Sequence, residues 1–441
     1  MHDETLFPLC EIQEARGDEG VPMKSAARIQ YAVRDQVEIL MTDLDSLIAQ
    51  DHQARIVWAF AEAQDLSPLY GRIGARDDRP GRPPVDPRIL MALWLNATLD
   101  GVGAARELDR RCTEDIAYKW ICGGVSVNYH TLSDFRVAHG ELLDALLTRD
   151  VAALRCEGLV DLNRVAQDGM RVRASAGAAS YRRKATLEEC LAEAEIQVAR
   201  LRKELEESPG EGSKRERAAR ERAARERLDR VKRALERSTE LQARKPEKDK
   251  EKVRVSTTDP EVPVMKMGDG GFRPAANIQF ATDTASQVIT GHDVTGRGSD
   301  QGEMAPMVEQ HHERYDTYPP EILVDGGFTK QEDIDAVSAP DKGCTVYAPV
   351  PKPKNKDRDR HEPLPGDSPA VAEWRRRMGT EEAKGIYTER AATAECVNAI
   401  ARNRGLRQFT VRGLKKIKTV VLWYVLAHNM MRGHALRAAR A

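Results

Sequence analysis

GIYTERAATAECVNAIARNRGLRQF, residues 385–409, has the pattern of one helix. Gly385 opens it, and Gly405 is placed to close it in a left-handed cap. Glu395, Asn398 and Arg402 are three and seven residues apart and share one face, with Tyr387 and Ala391 along the same side. Val397, Ile400 and Ala401 form an apolar stripe elsewhere on the wheel. The helix is therefore packed on one side and presents a carboxylate beside hydrogen-bonding and cationic groups on another. By itself this is also the pattern of an amphipathic surface helix with a solvated glutamate.

The spacing Tyr-x2-Arg-x4-Glu-x6-Arg, continued by NRGLRQFTVRGLKKIKTVVLWYVLAHNMMR (403–432), resembles the C-terminal signature of bacterial insertion-sequence DDE transposases. The resemblance implies an RNase H-like catalytic domain in which Glu395 is the third metal-binding carboxylate, with two aspartates upstream. It further implies that Tyr387, Arg390 and Arg402 contact substrate phosphates. The likeness covers roughly residues 65–435 and is strongest at 255–284 and from Tyr387 to Met431. Departures fall at Asp325-Gly-Gly-Phe328, where the family often has Asp-Ala-Gly-Tyr. Others are Val397-Asn398 in place of an aromatic-Gly pair, and Arg402 in place of the commoner Lys.

A chain of 441 residues has room for two to three domains, and 41 % hydrophobic content supports a core. The net charge of −1 excludes a global field that attracts DNA, so any nucleic-acid surface must come from local clusters. Seven cysteines stand singly with no CxxC pair, which fits free thiols in a reducing compartment and neither a disulfide framework nor a zinc site. The N-terminus lacks a signal core, and the apolar run near Val420–Ala427 is too short to span a bilayer. The expectation is a cytoplasmic, nucleoid-associated protein with no membrane partner.

Residues 1–35 read as irregular, and two helices are expected between about Gln36 and Gln64. The segment 75–87 is a Pro/Arg-rich connector. Five helices follow. The first starts at an Asp86 cap with Pro87 behind it, and the next two lie within 102–115 and 117–124. The fourth is capped by Asn128, and the last is the long segment 140–158. Short helices on tight glycine turns fit a helix-turn-helix module as well as an ordinary helical packing domain. In the DNA-binding reading, which the resemblance favours, the recognition helix offers Asn128, His130, Thr131, Ser133 and Arg136.

LVDLNRVAQDGMRVRA (159–174) reads as a strand or a hairpin, with Asp168 in it. Locally Asp168-Gly169 is a good hairpin turn. The family pattern instead makes Asp168 the first catalytic aspartate, followed by Gly, basic residues and a small-residue run, here ASAGAAS (174–180). From 181 to 252 the composition shifts to Arg, Glu and Ala over a sparse seam of Leu187, Leu191, Val198, Leu201 and Leu205. This reads as a coiled-coil-like helical hairpin broken at 208–213, with mostly solvated faces.

Strand periodicity returns with NIQFATDT and QVITGHDVT, a β-hairpin. A helix (303–315), the apolar strand Ile322–Val324, another helix and the strand at 344–350 follow. Asp325 stands at the carboxyl end of that apolar strand, where ligands gather in mixed sheets. Asp269 repeats the Asp-Gly-Gly-Phe motif without a strand before it and reads as a loop residue. Asp283 and Asp293 read as exposed turn or strand carboxylates, and Asp300 as a helix N-cap. A Pro/Lys/Arg-rich loop lies at 351–369, RGLKKIK (412–418) puts Lys415 and Lys416 on a basic turn suited to phosphate, and His428 reads as a packed core histidine.

The fold class expected is α/β (α+β). An RNase H-like mixed sheet (158–180 and 253–435) is preceded by a helical domain (36–157) and interrupted by the insertion at 181–252. Asp168, Asp325 and Glu395 form the expected catalytic and metal-binding triad. Oxygen ligands suit two divalent ions, Mg²⁺ or Mn²⁺, one for the nucleophile and one for the leaving 3′-oxygen. The expected activity is cleavage at element ends and strand transfer into target double-stranded DNA. At least a homodimer would be needed to hold two ends. The alternatives are a decayed or domesticated DNA-binding protein and an RNase H-like nuclease.

Overall fold

The computed structural model describes residues 41–74, 83–207, 214–353 and 357–440. The irregular N-terminus, the start of the first expected helix, most of the 75–87 connector, the break at 208–213 and part of the 351–369 loop lie outside the described residues. Residues 44–441 form one compact unit.

Its helical front end follows the capping signals. A 3-10 turn at Asp45–Leu47 and α1 (Gln53–Ala63) stand where two helices were expected, and α2 (Ser67–Tyr70) is one short turn. Asp86 accepts from the Arg88 amide and starts α3 (Pro87–Leu99), which is buried along almost its whole length. Then come α4 (Ala105–Glu114), α5 (Ile116–Cys122), α6 (Tyr129–Ala138) and α7 (Gly140–Cys156). Gly123 and Gly124, both at positive φ, end α5, a backbone that residues with a Cβ rarely adopt.

β1 (Arg164–Arg173) is a single ten-residue strand, so Asp168-Gly169 is mid-strand and makes no turn. A short pairing of β2 (Tyr181–Arg182) with β3 (Val255–Ser256) closes the base of the inserted segment. Between them lie α8 (Lys184–Glu207), α9 (Lys214–Ala243) and the short α10 (Glu247–Lys250). α8 and α9 run in opposite directions: Leu187 packs with Ala234, and Arg227 reaches Glu193 and Gln197.

The main sheet is mixed. β4 (Val264–Lys266) and β6 (Ile289–Thr295) pair antiparallel with β5 (Phe272–Asp283), which pairs antiparallel with β1. On β1's other edge β7 (Glu321–Leu323) and then β8 (Thr345–Tyr347) run parallel. α11 (Met304–Tyr315) connects β6 to β7, and α12 (Gln331–Val337) connects β7 to β8, as parallel crossovers require.

The chain continues through α13 (Pro369–Met378) and α14 (Glu381–Arg390), a π-turn (Ala391–Glu395) and α15 (Cys396–Asn403). The helix therefore starts at a Thr380 cap, five residues before Gly385, because the Thr380 hydroxyl satisfies the Ala383 amide. Gly405, at φ +88°, closes it, and the Leu406 amide bonds back to the Ala401 carbonyl. The last helix, α16 (Leu414–Arg440), threads the main core. That core joins α1, α3, α4, α5, α6 and α7 to one face of the sheet through residues that include Trp94, Leu108, Met170, Ile278 and Trp423. His428 is buried with Nε2 on the Gln287 carbonyl, and Asn429 pairs with both the N–H and the C=O of Ile289.

Candidate active site

β1 is the central strand, with an antiparallel neighbour on one side and a parallel one on the other. The β1–β7 register pairs Val165 with Ile322 and Ala166 with Leu323. Continuing it by two residues brings Asp325 beside Asp168. Asp325 leaves the strand there, and its Oδ1 accepts from the Gly327 amide (2.7 Å) as the cap of a 3-10 turn.

The third group comes from the helix. Arg390 Nη2 lies 3.0 Å from Asp168 Oδ1, and its Nη1 lies 3.0 Å from Glu395 Oε1. Asn398 Nδ2 donates to Asp168 Oδ2 at 2.9 Å, and the Gly169 amide donates to Oδ1 at 3.0 Å. Asp168 and Arg390 are largely buried, whereas the Glu395 side chain is 59 % exposed. The π-turn explains the Arg390–Glu395 pair. In a regular α-helix, residues five apart lie about 140° apart around the axis, and the wider turn swings Glu395 back toward Arg390.

Burial pushes the Asp168 carboxyl upward; the Arg390 guanidinium opposes this, and the charge of Asp325 adds to it. Burial also raises the Tyr387 phenol, which lies in the field of Arg390, Asp325 and Glu395. Among the described residues, no three Asp, Glu, His or Cys side chains converge closely enough to hold a metal ion. Arg390 occupies the space between two of the carboxylates and acts there as the cation. Two buried atoms beside it lack partners, Arg390 Nε and Asn398 Oδ1. An all-oxygen acceptor set already holding one cation, with a spare buried acceptor, is chemistry that suits a hard divalent ion.

The remaining sequence candidates are dispersed. Arg402 is exposed in the last turn of α15, and Lys415 and Lys416 are exposed at the start of α16. On α6, Asn128 spends its side-chain oxygen on the His130 and Thr131 amides, His130 stacks on Tyr129, and His130 and Ser133 are exposed. Arg136 turns inward, which corrects its place among the DNA contacts. Its guanidinium lies over Trp94 and bonds the Gly103 carbonyl and Thr410.

Asp269 is an exposed loop residue paired with Arg273. Asp283 is buried, not exposed, because its carboxylate caps the β5–β6 turn through Ser286. Asp293 pairs with Lys418. Asp300 is no N-cap: it lies against β1 and accepts from Asn277 and Gln279, both at 2.7 Å. Asn398 was legible only as a polar group sharing Glu395's face. The Asp300 network left no sequence signal, because it joins residues more than a hundred positions from Asp168.

No helix among the described residues is long and apolar enough to cross a membrane. Comparison with curated proteins and with solved structures returns no match. Residues 42–138 match the family model described as a transposase domain (DUF772), and residues 342–434 match the one described as a transposase DDE domain. The second match contains the π-turn, Glu395 and α15, and the two matches together support a DDE transposase of an insertion element.

Proposed function

We propose that this transposase cleaves DNA at the ends of its element and joins them to target DNA through Asp168, Asp325 and Glu395. The observation that carries this reading is the convergence of β1, the end of β7 and the π-turn helix on one cationic group, Arg390. The strand order, three antiparallel strands with two more parallel to the first, supports an RNase H-like core over 158–180 and 253–435. Residues 36–157 would bind the element ends, and 181–252 is the inserted helical arm.

Two divalent ions, Mg²⁺ or Mn²⁺, would supply a nucleophile and stabilise the leaving 3′-oxygen when bound by the three carboxylates. The protein's own groups do the rest. Asn398 and the Gly169 amide fix the Asp168 carboxylate. The Gly327 amide fixes Asp325. Tyr387, Arg390 and the exposed Arg402, Lys415 and Lys416 would take the DNA backbone, with His130, Thr131 and Ser133 on the front-end helix. Holding two ends calls for at least a homodimer.

The test is Mg²⁺-dependent nicking and joining of DNA carrying the element's own ends, comparing the parent with Asp325→Ala. Loss of both steps in the variant supports the triad. Unchanged activity removes Asp325 from it, and nicking without joining in the parent points to a nuclease. End binding without cleavage points to a binding-only protein.

A further inference from the structure

We propose that Arg390 is an exchangeable counter-ion: without metal it ties Asp168 to Glu395, and a DNA phosphate draws it off so that the carboxylates take their ions. DNA and metal then bind cooperatively. This rests on the transposase reading above.

Three observations carry it. The guanidinium bridges the two carboxylates at 3.0 Å each, so it stands where a cation is wanted. Its fit there is incomplete, since the buried Nε has no partner. A buried donor without an acceptor is costly, so an acceptor-rich phosphate offers the arginine a better set of contacts. Lastly, the pairing with Glu395 exists only because of the π-turn, and Glu395 is otherwise exposed and free to turn to another cation. The Asp168 oxygens are all engaged in this state, by Arg390, the Gly169 amide and Asn398. A divalent ion therefore competes with Arg390 for Asp168 Oδ1.

The experiment titrates Mn²⁺ into the full chain, following free Mn²⁺ by electron paramagnetic resonance. It is run without DNA and with a duplex of the element's terminal sequence, for the parent, Arg390→Gln and Arg390→Lys. The expected result is a Mn²⁺ affinity in the parent that rises at least about tenfold with DNA. Arg390→Gln should bind Mn²⁺ at least about tenfold tighter than the parent without DNA, and gain little more from it. Arg390→Lys, which keeps the charge, should stay close to the parent. The proposal is overturned if DNA leaves the parent's Mn²⁺ affinity unchanged. It is equally overturned if Arg390→Gln, folded by circular dichroism, binds no tighter than the parent. Absence of Mn²⁺ binding in every protein, with and without DNA, would overturn the metal-dependent reading itself.

Discussion

Gly169 has no room for a side chain. A Cβ there would stand 2.2 Å from Asp300 Oδ1 and 2.7 Å from Gln279 Nε2. The Asp-Gly pair that reads as a turn is instead a strand residue whose far face is filled by Asp300. Gly169→Ala should therefore destabilise the protein by about 1–3 kcal/mol, the usual cost of overpacking, measured as a lower urea midpoint at unchanged slope. Arg136 and Lys415 separate in the same way. Arg136→Ala should lower stability with no change in the salt dependence of DNA binding, because its partners are Trp94, Gly103 and Thr410. Lys415→Ala with Lys416→Ala should leave stability nearly unchanged. It should reduce the slope of log affinity against log salt by about two if each lysine neutralises one phosphate.

At the scale of elements, the site helix depends on how it ends. Gly405 has φ +88°, and a Cβ on it would stand 3.0 Å from the Gly101 carbonyl oxygen at the end of α3. Gly405→Ala should cost about 1–2 kcal/mol from the left-handed backbone alone, with the contact adding to it. Thermal unfolding would register this, and Gly405→Asn, which tolerates that backbone better, should recover part of it. The start of the helix was misplaced from sequence because Gly385 looks like a boundary, whereas the Thr380 cap outweighs one internal glycine. The π-turn had no sequence mark at all. It is a change of backbone register that only the surroundings of Arg390 and Glu395 make favourable.

For the whole molecule, acid should reveal the buried imidazoles. His292, His311 and His428 are almost wholly buried, and burial lowers them to about 3, 4 and 4 respectively. The folded state refuses protons that the unfolded chain accepts below about pH 6.5. Their stabilising share is thus complete above that value and is lost as pH falls toward 4. For His428 at pH 5 the loss is about 2 kcal/mol. Asp150, pushed up to about 6 by burial, takes up a proton on folding and opposes part of the trend. Urea unfolding at pH 7.5 and pH 5 should show His428→Gln losing less stability than the parent, since Gln can still donate to the Gln287 carbonyl. Equal losses would show that His428 is not a source of the acid sensitivity.

Much of the local structure follows from adjacent residues alone. The Asp86 and Asn128 caps, the β5–β6 hairpin, the apolar strand before Asp325 and the closing Gly405 are all set by neighbours in the chain, and each stands where its pattern put it. Local pattern also favoured Asp325, which follows a buried apolar strand, over Asp269, although the short β4 precedes Asp269 and leaves it in the β4–β5 turn. Tertiary structure decided what distant residues do to one another. It put Asp168 in the middle of a strand, Arg136 inside, Asp283 in a buried cap and Asp300 behind Gly169. It also set Arg390 between Asp168 and Glu395, which are supplied by separate elements. The physical reason is that caps and periodicity are energies of adjacent residues. A buried charge takes its partner from whichever strand or helix the sheet order brings beside it.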